Sequence, residues 1–387
     1  MEVYVLDDLL RRIAVIDRYE SLIWTERWQA VGDFELLLES SRNTRGLLRT
    51  GKHLAMTDSD RVMEIKYVEN KIDDEGRKLL KVTGPSLEKV LEDRIATEGM
   101  FGLTDEPDWL IVNTPGNIAR YIFQKICVEG ILDPGDILPF YKPGNMYPAD
   151  TIPEEATSYL SEIPVSTVLK AITDLCTPYE LGFRLTRNFD KSELYFNVYS
   201  GNNRTTQQSV FTPVIFSPEL ENMKNVTEVQ SIQDYKNTAY VFSKNGAVVV
   251  YAENIDPDIS GFERRVLLVD ANDVDLEAGA ELTSILHNKG LDALAKANSL
   301  YMFDGEVDQY SPFKYGRDYF LGDLVEMRNS DGATNHMRVT EQIFVSDGEG
   351  DRSYPTLTIK QYIMPGTWES WGGETWDGGS DEYWDEV

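Results

Sequence analysis

Residues 21–40, SLIWTERWQAVGDFELLLES, combine an apolar alternation with a short polar turn. Phe34, Leu36 and Leu38 stand two positions apart and alternate with Glu35 and Glu39. A period of two is that of a half-buried β-strand, and the Gly-Asp at 32–33 supplies a turn before it. The start of the chain is therefore predicted to form a β-hairpin.

Two tryptophans precede this turn, and their spacing permits two readings. Trp24 and Trp28 are four residues apart, which fits one face of a helix, whereas the neighbouring turn and alternation favour a strand. On a strand, Leu22, both tryptophans and Glu26 share one face. Two indoles on one face would supply most of the core of a small β-barrel, with Phe34 beside them after the turn.

The pattern changes twice along the chain. Strand alternation continues to about residue 85, across a turn at Asp74-Glu75-Gly76, and Ser86 is placed to cap a helix over 87–95. Residues 99–206 contain helical spacing after Pro115 and Pro164, a proline-rich stretch, and a hairpin that ends near residue 201. This part is predicted to be an α+β insertion.

Strand patterns return from residue 210 onward. Lys244-Asn245-Gly246 separates two apolar runs and predicts a hairpin, and residues 346–353 separate two more. A helical stretch interrupts these strands at 275–299. We predict a β-rich α+β fold of several domains, because 387 residues exceed what one core usually serves. The expected boundaries are 1–98 (with 207–224 as a candidate to complete it), 99–206, 225–365 with a helical insertion at about 257–300, and a tail at 366–387.

The chain is strongly acidic. It has 37 basic and 66 acidic residues, a formal net charge of −29. Sequence-specific nucleic-acid binding is not expected, because binding of phosphates requires clustered lysine and arginine. Two interpretations of the acidity remain open. The charge either keeps the protein soluble, or it prevents a polyanion that passes close by from binding to the surface. The sequence does not decide between these readings.

No recognisable catalytic or metal site emerges. His53, His287 and His336 are far apart, and Cys127 has no local partner that would make it a nucleophile. The acidic stretch 270–275 lacks the glycine and the final glutamate of a calcium-binding loop. In a chain with 66 acids some carboxylates will lie close together by chance, so a pair of the kind that glycosidases use does not indicate glycosidase activity. We therefore expect no enzyme activity, metal or cofactor.

We also expect no membrane span and no signal peptide. No apolar run approaches the length of a membrane-spanning helix, and the first residues do not resemble a signal peptide. The two cysteines, Cys127 and Cys176, lie in apolar helix-like stretches and are expected to be buried free thiols. Synthesis in a reducing cytoplasm is the natural expectation.

The segment 366–387, called the Trp-rich segment below, differs from the rest of the chain. It contains seven acids, no base and four of the seven tryptophans, namely Trp368, Trp371, Trp376 and Trp384. It has too little aliphatic content to fold alone. Isolated aromatic anchors on an acidic strand suit docking into another surface, and a purely solubilising tail would not need four tryptophans.

Several motifs resemble one family of phage proteins. The pattern S-x-x-W, seven residues and G-D-F-E-L is carried by Ser21, Trp24 and residues 32–36, and G-x-S-L-x-x-x-L-x-x-R by residues 84–94. Later, FNVYSGNNRT, VIFSPELENM and DYFLGDLVEM are similar to the middle and end of the same family. The chain resembles the Gp37-like minor tail proteins of siphophages over about residues 3–363.

The resemblance implies a baseplate or tail-tip hub. Such a chain would contain two small β-barrel tail-hub domains with an inserted α+β domain, and would assemble as a homotrimer in the virion. The ring would join the six-fold tail tube to the three-fold tip and line the channel for DNA ejection. Expected neighbours are the distal tail protein ring, the tape measure protein's C-terminus and other minor tail or receptor-binding proteins. Trp24, Trp28 and Phe34 would be barrel-core or ring-contact residues.

Two other functions compete with the hub. A tail-associated cell-wall hydrolase is disfavoured, because only 22 residues follow the second predicted β domain. A host receptor- or carbohydrate-binding protein at the tail periphery is the alternative, supported by the aromatic content and the α+β insertion.

Overall fold

The fold is rich in β-strands and has few helices. In the computed structural model the described residues are 1–97, 109–142, 159–188, 192–274, 276–297, 300–307, 311–328 and 334–359. Within these residues, no helix is both long enough and apolar enough to cross a membrane.

The N-terminal β region contains eight strands and one short helix. Their bounds are β1 Val3–Leu6, β2 Arg12–Ile16, β3 Ser21–Arg27, β4 Asp33–Glu39, α1 Arg42–Leu47, β5 His53–Met56, β6 Val62–Glu64, β7 Tyr67–Ile72 and β8 Lys78–Pro85. Strands β2, β1, β5 and β6 form a four-stranded sheet in that order. The predicted hairpins β3–β4 and β7–β8 are confirmed.

Residues after β8 form a 3-10 helix over Leu87–Asp93, where sequence spacing predicted a helix capped by Ser86. The Ser86 hydroxyl makes no cap; it accepts a hydrogen bond from the backbone N–H of Gly32, 2.8 Å away. The cap prediction was wrong because this hydroxyl ties the β3–β4 turn to β8 instead.

The inserted region is α+β, as predicted. Its elements are β9 Ile95–Ala96, β10 Trp109–Asn113, α2 Pro115–Phe123, a π-helix Gln124–Glu129, 3-10 helices Pro134–Asp136 and Thr177–Tyr179, β11 Tyr159–Ile163, β12 Ser166–Thr167, α3 Val168–Cys176, β13 Gly182–Asn188 and β14 Glu193–Tyr199. The two helices bury apolar faces that include Ile118, Ile122 and Ile172. Phe123 stacks on Phe196 of β14 at a centroid distance of 4.0 Å, which joins helix and hairpin in one core.

The C-terminal β region and a smaller sheet inserted in it complete the fold. The elements are β15 Ile215–Phe216, β16 Met223–Ser231, β17 Thr238–Ser243, β18 Gly246–Tyr251, β19 Val266–Asp270, α4 Ala280–Lys296, β20 Leu300–Val307, β21 Leu324–Arg328, β22 Thr334–Asp347 and β23 Gly350–Ile359, with 3-10 helices Pro218–Leu220 and Gly261–Glu263. The hairpins β17–β18 and β22–β23 confirm two predicted turns.

One ten-stranded sheet connects the two ends of the chain. Its main path is β16-β20-β23-β22-β3-β4-β8-β7, with β21 paired to β22 and β15 paired to β21. The two β regions meet where β22 runs antiparallel to β3, with Phe344 opposite Trp24. The strand pairings of the described residues close no barrel, so the two predicted barrels stay a prediction.

The small sheet, β18-β17-β19, packs one face against α4. Val241 and Val250 of the sheet are buried with Leu282, Ile285 and Leu286 of the helix. This helix lies within the expected helical insertion at about 257–300, which also contains strand β19.

Candidate functional site at the junction of the β regions

Trp24 and Phe34 lie in the core of the N-terminal β region. They are directly opposite each other on β3 and β4, both are buried, and their ring centroids are 6.0 Å apart. Phe344 of β22 belongs to the same core. An apolar core of the N-terminal region therefore includes a side chain from the other end of the chain.

Trp28 lies in a different core from Trp24, although both were expected on one strand face. It follows the last residue of β3, and its backbone N–H donates to the carbonyl of Thr340 at 2.9 Å. Leu22, Trp24, Glu26 and Trp28 are all buried, so the buried face of β3 continues through Trp28. The indole enters the core of the C-terminal β region.

Three parts of the chain meet at the Trp28 indole. A Cβ built on Gly182, the first residue of β13, would lie 1.9 Å from Nε1, and one on Gly322 would lie 2.6 Å from it. The guanidinium of Arg338 stands 4.8 Å from the ring centroid. Arg338 also donates to the backbone carbonyls of Ser200 and Gly322. Trp28 thus packs the inserted region against both β regions.

Glu26 is a buried acid at the same junction. One carboxylate oxygen accepts a hydrogen bond from the Ser59 hydroxyl, and the other accepts from the Tyr315 hydroxyl at 2.8 Å. Burial, followed by the nearby charge of Asp60, raises the pKa of Glu26 to about 7. Burial also raises the pKa of Tyr315 well above its ordinary value, so Tyr315 remains a hydrogen-bond donor.

A buried ion pair holds the inserted region in place. Arg61 and Glu88 pair with each other, with side chains 4% and 2% exposed. Glu88 also accepts the backbone N–H of Leu185 in β13 at 2.9 Å. Two residues further along β13, the Arg187 guanidinium donates to the carbonyl of Leu10. Strand β13 is therefore fixed to the N-terminal region by charge-assisted hydrogen bonds.

Glu26, Arg61 and Tyr315 border a cleft of about 850 Å³ between the three regions. Arg204 and Asp323 form a second ion pair in its wall, at 2.5 Å. The Arg204 guanidinium lies 5.0 Å from the ring centroid of Phe211 and 5.7 Å from that of Phe320. Arg61 and Arg204 of this wall are each held in a buried ion pair, so the arrangement is suited to holding three regions together.

Nucleophile and metal chemistry find little support in the described residues. Burial raises the pKa of Cys127 and of Cys176 to about 12, so neither forms a thiolate near neutral pH. In the described part of the chain, no three histidine, cysteine, aspartate or glutamate side chains gather as a metal site would require. The anchors Trp368, Trp371, Trp376 and Trp384 lie outside the described residues.

Sequence reasoning missed the Glu26 and Trp28 contacts. For Glu26 the sequence did contain a signal. Glu26 shares the face of β3 with Leu22 and Trp24, and that face was predicted to be buried. A buried carboxylate requires donors, and these come from residues far along the chain. No local signal identifies Gly182 or Gly322 as neighbours of Trp28.

Comparison with known proteins agrees with this architecture. The sequence matches the family described as Siphovirus ReqiPepy6 Gp37-like protein over residues 2–354. A search of curated proteins finds no significant match. Three solved structures are similar over nearly the whole chain, at identities that show the fold alone.

The first is a tail protein from Neisseria meningitidis MC58 (TM-score 0.54, 13% identity, 92% of this chain and 96% of that chain). The second is the 43 kDa tail protein of prophage MuSo2 from Shewanella oneidensis (TM-score 0.54, 11% identity, 92% and 96%). The third is prophage tail protein gp18 from Listeria monocytogenes EGD-e (TM-score 0.53, 9% identity, 94% and 96%). The fold is that of phage tail proteins, and the chain belongs to the family of Siphovirus ReqiPepy6 Gp37-like proteins.

Proposed function

We propose that this phage tail protein is the hub of the tail tip or baseplate and acts as a homotrimer. The observation that carries the proposal is the family match over residues 2–354, together with a fold shared with tail proteins along the whole chain. In this role the chain joins the six-fold tail tube to the three-fold tip. Its function is structural, without catalysis.

The joined β regions support this symmetry. Strand β3 pairs with β22, so each chain presents two β regions side by side in one sheet. Three chains would present six such regions, which can match a six-fold ring while the assembly keeps three-fold symmetry. We propose the corresponding division into two barrel domains, 1–98 and 225–365, with the insertion 99–206 and the tail 366–387. Residues 207–224 lie with the C-terminal region, because β15 pairs with β21.

Exposed sheet edges offer surfaces for assembly. Strand β7 ends the ten-stranded sheet, and its Tyr67 and Ile72 are 52% and 65% exposed. Strand β2 ends the four-stranded sheet, with Ile13 and Val15 about half exposed. An exposed edge strand presents unpaired backbone N–H and C=O groups, which can pair with a strand of another chain. We propose that neighbouring copies, the distal tail protein ring, the tape measure protein and other minor tail proteins contact such surfaces.

The acidity has a role in the proposed ring. A trimer would carry three times −29, or −87. If part of this charge lines a central channel, DNA leaving the virion meets repulsion instead of cationic binding and slides through. The channel lining is therefore proposed to be acidic. A ring whose channel surface is neutral or basic would contradict this part of the proposal.

Imaging of the purified protein tests the hub. We expect three-fold rings with a central hole by negative-stain microscopy, and a mass in solution three times the chain's 44.0 kDa. Mixing with the distal tail protein should promote the ring if the free chain is monomeric. A chain that stays monomeric at high concentration and with that partner would contradict the proposal.

The peripheral receptor- or carbohydrate-binding function makes different predictions. It expects binding on a glycan array or to host cells by the isolated protein. It also expects a label at Val387 in intact virions to lie away from the tail axis, whereas the hub places the label near it.

A further inference from the structure

One face of the small sheet is apolar and exposed. Val249, Tyr240 and Leu268 lie side by side across β18, β17 and β19, and are 43%, 40% and 70% exposed. Val266, on the same face of β19, is 40% exposed. The face contains a shallow apolar depression of about 400 Å³ beside Tyr240 and Leu268. Since α4 covers the opposite face, this row has no covering element among the described residues.

Three cations stand at one end of this sheet. Arg264 donates to the Tyr240 hydroxyl at 3.0 Å, and its guanidinium lies about 6 Å from the Tyr240 and Tyr251 rings. Arg265 and Lys236 adjoin it, because the Arg265 carbonyl accepts the backbone N–H groups of Asn237 and Thr238. Within the described part of the chain, none of the three cations forms an ion pair with a carboxylate. In a chain with 66 acids, such a group of cations marks a place for an acidic partner.

The end of the ten-stranded sheet lies close to these cations. Ile359, the last residue of β23, is opposite Tyr301 of β20, and Tyr301 is opposite Gln230 of β16. Lys236 follows Gln230 by six residues, and its backbone N–H donates to the carbonyl of Ala297, four residues before Tyr301. The last described residue of β23 is therefore connected to the cationic end of the small sheet through its pairing with Tyr301, four residues from the Ala297 carbonyl that binds Lys236.

We propose that the Trp-rich segment of the same chain, residues 366–387, docks on this exposed face. Its indoles would pack on Tyr240, Val249 and Leu268, and its acids would lie near Lys236, Arg264 and Arg265. The inference deepens the proposed docking role of Trp368, Trp371, Trp376 and Trp384 by naming their surface. It does not depend on the trimer or on the position in the tail.

Reach and composition both fit. Trp368 is nine residues beyond Ile359, so an extended chain spans up to roughly 30 Å between them. The segment supplies four aromatic anchors and seven acids with no base, which complement an apolar face bordered by cations that form no ion pair within the described residues. Attachment to the same chain gives the segment an effective concentration of about millimolar, so weak contacts suffice. This local attraction works against the repulsion expected from the net charge.

Tryptophan fluorescence of the full chain provides the test. Trp24, Trp28 and Trp109 are at most 3% exposed, so changes in solvent exposure report on the other four tryptophans. We expect Leu268→Asp to shift the emission to longer wavelength and to increase quenching by acrylamide, and Arg264→Glu to do the same in part. Val112→Asp is the matched control, because Val112 of β10 is 67% exposed and lies outside the small sheet, and it should change neither property.

A photocross-linking amino acid at position 268 identifies the occupant directly. The proposal expects cross-links to peptides from 366–387 within one chain, at a yield that does not depend on protein concentration. The yield of these cross-links should fall at least about 30-fold when all four tryptophans are replaced by alanine, which is the loss typical of central anchors. The four are Trp368, Trp371, Trp376 and Trp384. Circular dichroism confirms that each variant is folded.

Other outcomes overturn the inference. Unchanged fluorescence in Leu268→Asp would show that the segment does not cover this face. Cross-links between chains, together with a lower mass in solution for Leu268→Asp, would show that a second copy covers it. Either result leaves the hub proposal standing, because the mass and symmetry of the ring are measured separately.

Discussion

The indole of Trp28 occupies the space that a side chain would need at Gly182. A Cβ at this glycine would lie 1.9 Å from the indole Nε1 and 2.8 Å from the Trp28 carbonyl oxygen. The backbone N–H of the next residue, Phe183, donates to that same carbonyl at 3.1 Å. The inserted region therefore contacts the N-terminal β region backbone to backbone, and the contact depends on the absence of a side chain.

Gly182→Ala should lower the stability of the whole chain. The strand cannot move away without breaking the hydrogen bond from Phe183, and the indole is buried in the core of the C-terminal β region, so we expect overpacking to cost about 1–3 kcal/mol. The midpoint of thermal unfolding should fall by several degrees. Gly46→Ala is the control, because Gly46 lies in α1 with nothing near its Cβ position. Equal melting of the two variants would contradict the close packing of Trp28 on β13.

Glu26 should make stability depend on pH. Its pKa is about 7 in the folded chain against an ordinary value of 4.5. Below pH 4.5 the carboxyl is protonated in both states and has no effect. As the pH rises to 7 the unfolded chain loses this proton first, so the folded state is progressively destabilised, by roughly 3 kcal/mol at most.

Glu26→Gln removes this dependence, because an amide does not ionise. Thermal unfolding at pH 5, 6, 7 and 8 should show the variant gaining stability relative to the native chain as the pH increases, with the gain levelling off above about pH 7. Glu39→Gln, at an exposed end of β4, is the control and should show no such trend. A constant difference between Glu26→Gln and the native chain at every pH would mean that the carboxyl does not titrate in this range.

The hairpins and helices that depend on local sequence patterns could be predicted from the sequence. The hairpins β3–β4, β7–β8, β17–β18 and β22–β23 follow from alternation and turn residues, which act within about ten positions. The helices α2 and α3 follow from apolar spacing, and α2 also from the proline at its start, whereas α3 begins at Val168, four residues after Pro164. These features need no knowledge of the rest of the chain.

Long-range pairing could not be predicted in this way. Arg27 and Glu341 form an ion pair across β3 and β22 although 314 residues separate them. Period-two alternation shows which face of a strand is buried, but it does not show which strand is the neighbour. The placement of Trp28 in a second core depends on that neighbour, because Val339 and Leu357 of the C-terminal region belong to this core.

The two thiols should be unreactive in the folded chain. Cys127 and Cys176 are both buried, and burial raises the pKa of each to about 12. At pH 8 we expect a thiol reagent to label neither residue in native protein and both in guanidinium, with labelling of the native chain limited by opening of the inserted region. Ile72→Cys adds an exposed thiol that should react at once and so checks the reagent. Rapid labelling of Cys127 or Cys176 would show that the core around α2 and α3 is open.

The buried pair of Arg61 and Glu88 should behave as one unit. Arg61→Met leaves Glu88 buried without its cation, and we expect a loss of about 3–5 kcal/mol in the free energy of unfolding. Replacing both residues, Arg61→Met with Glu88→Met, removes the charge pair together and should cost less than the sum of the single changes. Part of the loss should remain, because the Leu185 N–H also needs its acceptor on Glu88.

Urea denaturation of the four proteins in this double-mutant cycle gives the coupling energy. Arg77→Met, at the exposed pair with Asp73, is the matched control and should change stability little, since exposed ion pairs contribute little. If the effects of Arg61→Met and Glu88→Met simply add, the two side chains act independently. In that case the attachment of β13 to the N-terminal region would rest on the hydrogen bonds from Phe183 and Arg187 rather than on this ion pair.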